Sequence, residues 1–110
     1  MSPDEVARQL IREPSRARAL EDELITLRPH RRPLPLAIVM YDDVRWALRS
    51  GIDGHLHMRD VHEWARALLF TEEIGFEDET ARDVVDSLAA HDDPLPIDAV
   101  DAQRLIDRLR

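Results

Sequence analysis

Cysteine is absent from the 110 residues, which removes disulfides, thiolate metal sites and cysteine nucleophiles. Lysine is absent as well, so all fifteen basic residues are arginine. A GC-rich bacterial genome is the simplest explanation, and a selected preference for bidentate arginine contacts is the alternative. Only three glycines occur, too few for a glycine-rich phosphate loop, and no nucleophile elbow is found. No apolar run approaches the roughly 18 residues that span a bilayer; the longest, Leu34 to Tyr41, is broken by Pro35. The opening MSPDEVARQL has no basic stretch followed by an apolar one, so no secretory signal is expected. Missing signal and missing cysteine together predict the cytoplasm and no membrane partner.

What is present suits one globular domain covering residues 1–110. Hydrophobic residues make up 44% and charged residues 35%, a balance that argues against wholesale disorder. The net charge of −8 is unevenly placed. Residues 1–71 hold eleven acids and eleven arginines, whereas residues 72–110 hold twelve acids against four arginines. That acidic final third repels duplex nucleic acid and attracts a basic protein surface, mainly through faster association. The plainer explanation is solubility.

Helix signals recur along the chain. Ser2, Pro3 and Glu5 form a capping box around a first helix carrying Val6 and Leu10 on its buried side, and Pro14 ends or kinks it. A second helix is predicted from about Ser15 to Leu27, with Ala17, Leu20, Leu24 and Leu27 as its stripe. Three prolines between Pro29 and Pro35 make an extended connector. Leu36 to Val39 could form a strand, but no partner strand is visible, so it reads as an apolar strap across the helices. A third helix is expected between Asp42, as N-cap, and Gly51, as C-cap. A fourth covers about Met58 to Phe70. After the turn EEIGFEDE a fifth starts at Asp78 or Thr80, carrying Ala81, Val84, Val85 and Leu88. His91 lies at its C-terminal end, where the dipole favours a cation. A sixth, from about Asp98, uses Val100, Leu105, Ile106 and Leu109. The fold class predicted is all-α, five or six short helices with a proline-rich extended connector.

The stretch GIDGHLHMRDVHEWA, from Gly51 to Ala65, gathers three histidines, three acids and two glycines. Aligning Gly54 with the glycine of an EF-hand loop puts Asp53 at position 5 and Asp60 at position 12, but Arg49 falls where the first carboxylate is needed. A transition-metal site would draw on His55, His57, His62 and Asp60. Its spacings are poor, since two ligands on one helix face need a separation of three or four and His57 and His62 are five apart. The helix-joint reading covers more residues. Gly51 stops one helix, His57 is the N-cap of the next, Asp60 at N3 opposes the dipole, and Leu56 with Val61 forms a hydrophobic staple. No cofactor is expected, and metal binding through this joint is kept as the alternative function.

Trp64 shares a helix face with Val61, Ala65 and Leu68 and is expected in the core. Trp46 projects roughly 160–200° from Val44 and Leu48, beside Asp42, Arg45 and Arg49. That is the composition of an interface hot spot. The competing reading, preferred by a small margin, has the helix sandwiched on both sides and Trp46 buried. Arg28, Arg31 and Arg32 suit either an anionic partner or the neutralisation of nearby carboxylates. The pairs Glu72/Glu73 and Asp92/Asp93 have the chemistry of an acid and a base, although neighbouring carboxylates in acidic loops are usually solvated. No catalytic constellation is recognisable, so an enzyme is not expected.

The segment DVRWALRSGIDGHLHMRDVHEWARALLFTEEIGFED followed by PLPIDAVDAQRLIDRL resembles a pattern in small uncharacterised bacterial helical proteins of the toxin-immunity type. The pattern has a turn containing glycine, a capped helix with a Trp-Ala pair, an acidic Ile-Gly-aromatic turn and a proline-led final helix. The resemblance spans about residues 42–109 and brings no catalytic residues. It departs at His57, where the pattern prefers serine or threonine. It implies a protein-binding module; the hot-spot composition around Trp46 and the acidic final third supply the candidate contacts for a basic partner, Trp46, Arg45, Arg49, Glu72, Glu73, Asp92 and Asp93. A self-associating structural subunit is a third possibility, and the sequence leaves the oligomeric state open.

Overall fold

The N-terminal capping signal acts where the sequence puts it. Ser2 Oγ accepts the Glu5 amide at 3.3 Å, Pro3 takes the first helical position, and α1 runs Pro3–Arg12. A computed structural model describes residues 2–27, 35–90 and 99–109. After α1 come a 3-10 turn at Pro14–Arg16 and α2, Ala17–Thr26. Strand β1, Ala37–Val39, leads into α3, Tyr41–Ile52, and α4, Met58–Phe70. Strand β2, Ile74–Phe76, leads into α5, Glu79–Ala89, and α6 is Ala99–Arg108. The architecture is mostly helical, as the periodicity predicts. The connector prolines Pro29 and Pro33, the basic residues Arg28, Arg31 and Arg32, and His91 lie outside the described residues.

One hydrophobic cluster draws on all six helices and both strands. Helix α4 runs through its middle, packing against α1, α2, α3 and α5. Its buried residues Val61, Trp64, Ala65 and Leu68 follow the spacing expected of them, with Ala67 added. On α6 and the residue after it the buried set is Ala102, Leu105, Ile106 and Leu109, and Val100 is exposed. Those four step by three, one and three, one helical stripe; Val100 stands about 140° from Leu105 and falls off it. Leu27, expected on the α2 stripe, sits at the C-cap of that helix and is partly exposed.

The apolar strap is a strand with a partner. β1 and β2 pair in parallel, with Ala37 opposite Ile74, Ile38 opposite Gly75 and Val39 opposite Phe76. The EEIGFEDE segment, read above as a turn, therefore contributes three residues of sheet. Helices α3 and α4 form the crossover that a parallel pair requires. Gly75 is needed there because a Cβ would stand 2.8 Å from Pro35 Cγ and 2.9 Å from Ile38 Cδ1.

Helix C-termini leave carbonyls without intrahelical donors, and here side chains from other elements supply them. The Trp64 indole N–H donates to Leu10 O at 2.9 Å and Ile11 O at 3.2 Å, at the end of α1. Pro14 lacks an N–H, so it cannot continue the ladder onto Leu10 O. His62 Nδ1 stands 3.0 Å from Leu88 O near the end of α5; a carbonyl only accepts, so the proton lies on Nδ1. Arg45 Nη1 donates to Leu109 O at 3.4 Å, just past α6.

Trp64 is fully buried and the largest side chain in the core. Trp64→Phe keeps most of the packing and leaves two buried carbonyls without that donor, so it should cost about 1–3 kcal/mol. Trp64→Ala should cost about 3–5 kcal/mol through the cavity. Urea unfolding of both variants checks this, and equal midpoints for Trp64→Phe and the parent chain would refute the capping role.

Candidate functional site

The joint between α3 and α4 is a helix stop followed by a helix start, but a different glycine does the stopping. Gly51 lies inside α3, and Asp53 is the C-cap. Gly54 follows with φ +82°. Its amide reaches Gly51 O at 3.3 Å, while the His55 amide reaches Ser50 O at 2.9 Å, the paired bonds of a Schellman motif. Gly51 serves packing instead: a Cβ there would run into Met58 Sδ. His57 is the N-cap of α4, as its position suggests, but makes no side-chain capping bond.

The three histidines of the joint diverge in role. His55 and His57 are exposed, and His62 turns to the Leu88 carbonyl. Among the described residues no three of histidine, aspartate and glutamate stand together in a group that could hold a metal ion.

A second arrangement was not visible in the sequence: an acidic corner where the two strands deliver their helices. Helix α3 begins before Asp42, with Met40 as N-cap. The expected cap, Asp42, is displaced because other carboxylates take the leading amides. Asp43 Oδ2 accepts the Met40 N–H at 2.9 Å, and Glu77 Oε2 accepts the Tyr41 N–H at 2.9 Å. The Tyr41 hydroxyl donates to Asp78 Oδ2, and Asp78 Oδ1 caps α5 by accepting the Ala81 amide at 3.0 Å. Glu77 N in turn donates to Val39 O at 2.9 Å, closing the strand pair. The hydrogen bond to Asp78 holds the Tyr41 hydroxyl above the ordinary phenol pKa near 10, with burial adding to it. The same bond, with the Ala81 amide, holds Asp78 below the ordinary 3.8.

The candidate contact residues separate into groups. Trp46 is 52% exposed, so the sandwiched-helix preference is overturned: the neighbours of α3, namely α4, α5 and α6, cover its Val44, Ala47 and Leu48 side and leave the opposite face open. Asp42, Arg49 and Asp53 share that open face. Arg45 is half-buried, with its guanidinium on Asp42 and on Leu109 O, so it is committed to joining α3 and α6. Glu72 is exposed, whereas Glu73 is buried at 2% and unavailable at the surface. Its backbone carbonyl accepts Leu36 N at 2.7 Å, beside the start of β1. Asp92 and Asp93 lie outside the described residues. A shallow open cleft near the start of α2 mixes Arg16 and Arg18 with Asp22 and Glu63, a pairing of signs that offers no convergent chemistry.

Comparison with known proteins finds no matching family model, no matching curated protein and no matching solved structure.

The joint and the corner each predict a measurable response. Gly54→Ala forces a Cβ into left-handed backbone and should destabilise by about 1–2 kcal/mol. Gly51→Ala puts a Cβ against Met58 Sδ, closer than van der Waals contact allows, and 3.5 Å from Val61 Cγ2. Displacement of the flexible Met58 thioether is offset by the gain in helix propensity, so the variant should stay within about 1 kcal/mol of the parent; thermal unfolding separates the two.

The Tyr41–Asp78 pair sets opposite limits on pH. Tyr41 has a raised folded pKa, so its contribution is complete below pH 10 and fades as pH climbs through the folded value. Asp78 has a lowered one, so its contribution is complete above 3.8 and fades as pH falls through the folded value. Tyr41→Phe should flatten the alkaline limb of a stability–pH curve measured by denaturant unfolding; an unchanged limb would refute the assignment.

Proposed function

We propose that the chain is a protein-binding module of the immunity or antitoxin type, acting inside a bacterial cell, whose acidic surface engages a basic partner. One observation carries this reading. Between residues 72 and 90, Glu72, Glu77, Asp78, Glu79, Asp83 and Asp86 are exposed, and Arg82 is the only arginine among them. Helix α5 buries Ala81, Val84, Val85 and Leu88, which leaves Glu79, Asp83 and Asp86 for solvent. Six of the twelve acids of the final third thus stand at the surface of one helix and its leading loop. Such a surface raises the association rate of a positively charged partner by steering and discriminates against acidic ones. The resemblance to immunity-type proteins gives the same direction of function, and the hydrogen-bonding duties of His62, Asp78 and Arg45 favour scaffold over catalysis.

The test is co-expression with the basic product of an adjacent reading frame, followed by calorimetry. Raising the salt from about 50 to 300 mM should weaken the complex markedly, as expected for interactions screened over about one Debye length. The triple neutralisation Glu79→Gln, Asp83→Asn, Asp86→Asn should slow association about tenfold or more while leaving thermal stability near the parent. If no basic protein is retained at low salt, or the triple variant associates at the parental rate, the proposal fails.

A further inference from the structure

Building on that basic-partner reading, we propose that Trp46 is the anchor of the interface and that its indole receives an arginine side chain of the partner. Trp46 is 52% exposed on α3, and Asp42, Arg49 and Asp53 share its stripe at spacings of four, three and seven. Trp64 finds a core position and two carbonyls for its N–H, whereas Trp46 leaves about half of its surface to solvent. Tryptophan is the side chain most enriched at interface hot spots, and its ring face attracts cations.

Charge selects the occupant. Around Trp46, α3 and its C-cap carry Asp42, Asp43 and Asp53 against Arg45 and Arg49, a net charge of −1. Tertiary structure adds to it: Tyr41, bonded to Glu77 and Asp78, brings those two carboxylates to the start of the same helix. The charge along the indole's helix is therefore net negative. A carboxylate is repelled there, and an apolar side chain gains contact area but nothing from that charge. A guanidinium gains both, because its plane stacks on the ring while its N–H groups face carboxylates. Arg45 cannot pre-empt the position, since Asp42 and the Leu109 carbonyl already hold it.

Three acetylated hexapeptides of arginine, lysine or citrulline, titrated into the parent chain, Trp46→Leu and the triple α5 neutralisation, test the proposal by calorimetry and tryptophan fluorescence. The arginine peptide should bind the parent, change the emission of the exposed indole, and bind Trp46→Leu about tenfold more weakly. Lysine should bind more weakly than arginine, and citrulline should leave the emission unchanged. Equal binding of citrulline and arginine, or no binding of the arginine peptide, overturns the proposal. So does undiminished arginine binding by Trp46→Leu; if the triple variant then loses binding, the acidic-surface reading stands without its indole anchor.

Discussion

The fold depends on one recurring interaction: a side-chain N–H from one helix placed on the orphan carbonyls that end another. Trp64 does this at the end of α1, His62 at the end of α5 and Arg45 at the end of α6. The need arises from composition. Glycine is the usual residue for turning a chain out of a helix, and of the three present only Gly54 occupies a left-handed stop. At the ends of α1, α5 and α6 carbonyls are met from outside. Two of the donors come from α4, so the central helix holds its neighbours by their ends as well as by their apolar faces. Burying an indole with its N–H unpaired would be costly. The same carbonyls that need a donor thus make a buried tryptophan affordable.

The other organising feature is electrostatic and sits at the opposite ends of the helices. A parallel strand pair leading into two helices presents amides and positive dipole ends in one place, the usual cradle for an anion. In this chain Asp43, Glu77 and Asp78 fill it with their own carboxylates. The corner is closed to outside anions, and it turns a region that would attract negative charge into one that favours positive charge. That reversal connects the local capping chemistry to the proposed basic partner.

The two tryptophans show how one residue type divides between stability and recognition. Trp64 lies where four helices and the 3-10 turn converge on α4, so its area and its N–H are both used internally. Trp46 lies on the side of α3 away from Val44, Ala47 and Leu48 and keeps about half of its surface exposed. Its exposure is a cost to the free protein, which a partner would recover. The histidine-rich joint, by contrast, is accounted for by helix geometry: a Schellman turn on Gly54, an N-cap at His57 and a carbonyl for His62.

The sequence by itself determined the helices, the buried stripes of α1, α4 and α5 and the core position of Trp64, because these follow from neighbours within one turn of the chain; it narrowed the start of α5 to Asp78 or Thr80, and the structure puts the cap at Asp78. It also showed the charge asymmetry, which is a property of composition. It misplaced the start of α3 at Asp42 and the stop at Gly51, and it read the second strand as a turn. In each case the deciding partner is remote or sterically hidden: Glu77 for the Tyr41 amide, Met58 for Gly51, and Val39 for the three residues Ile74–Phe76. Strands of three residues carry too little pattern to announce a pairing across 37 positions. Only the tertiary structure could decide that Trp46 is exposed, that Glu73 is not, and that Arg45 is already engaged, since exposure depends on which surfaces the other helices cover.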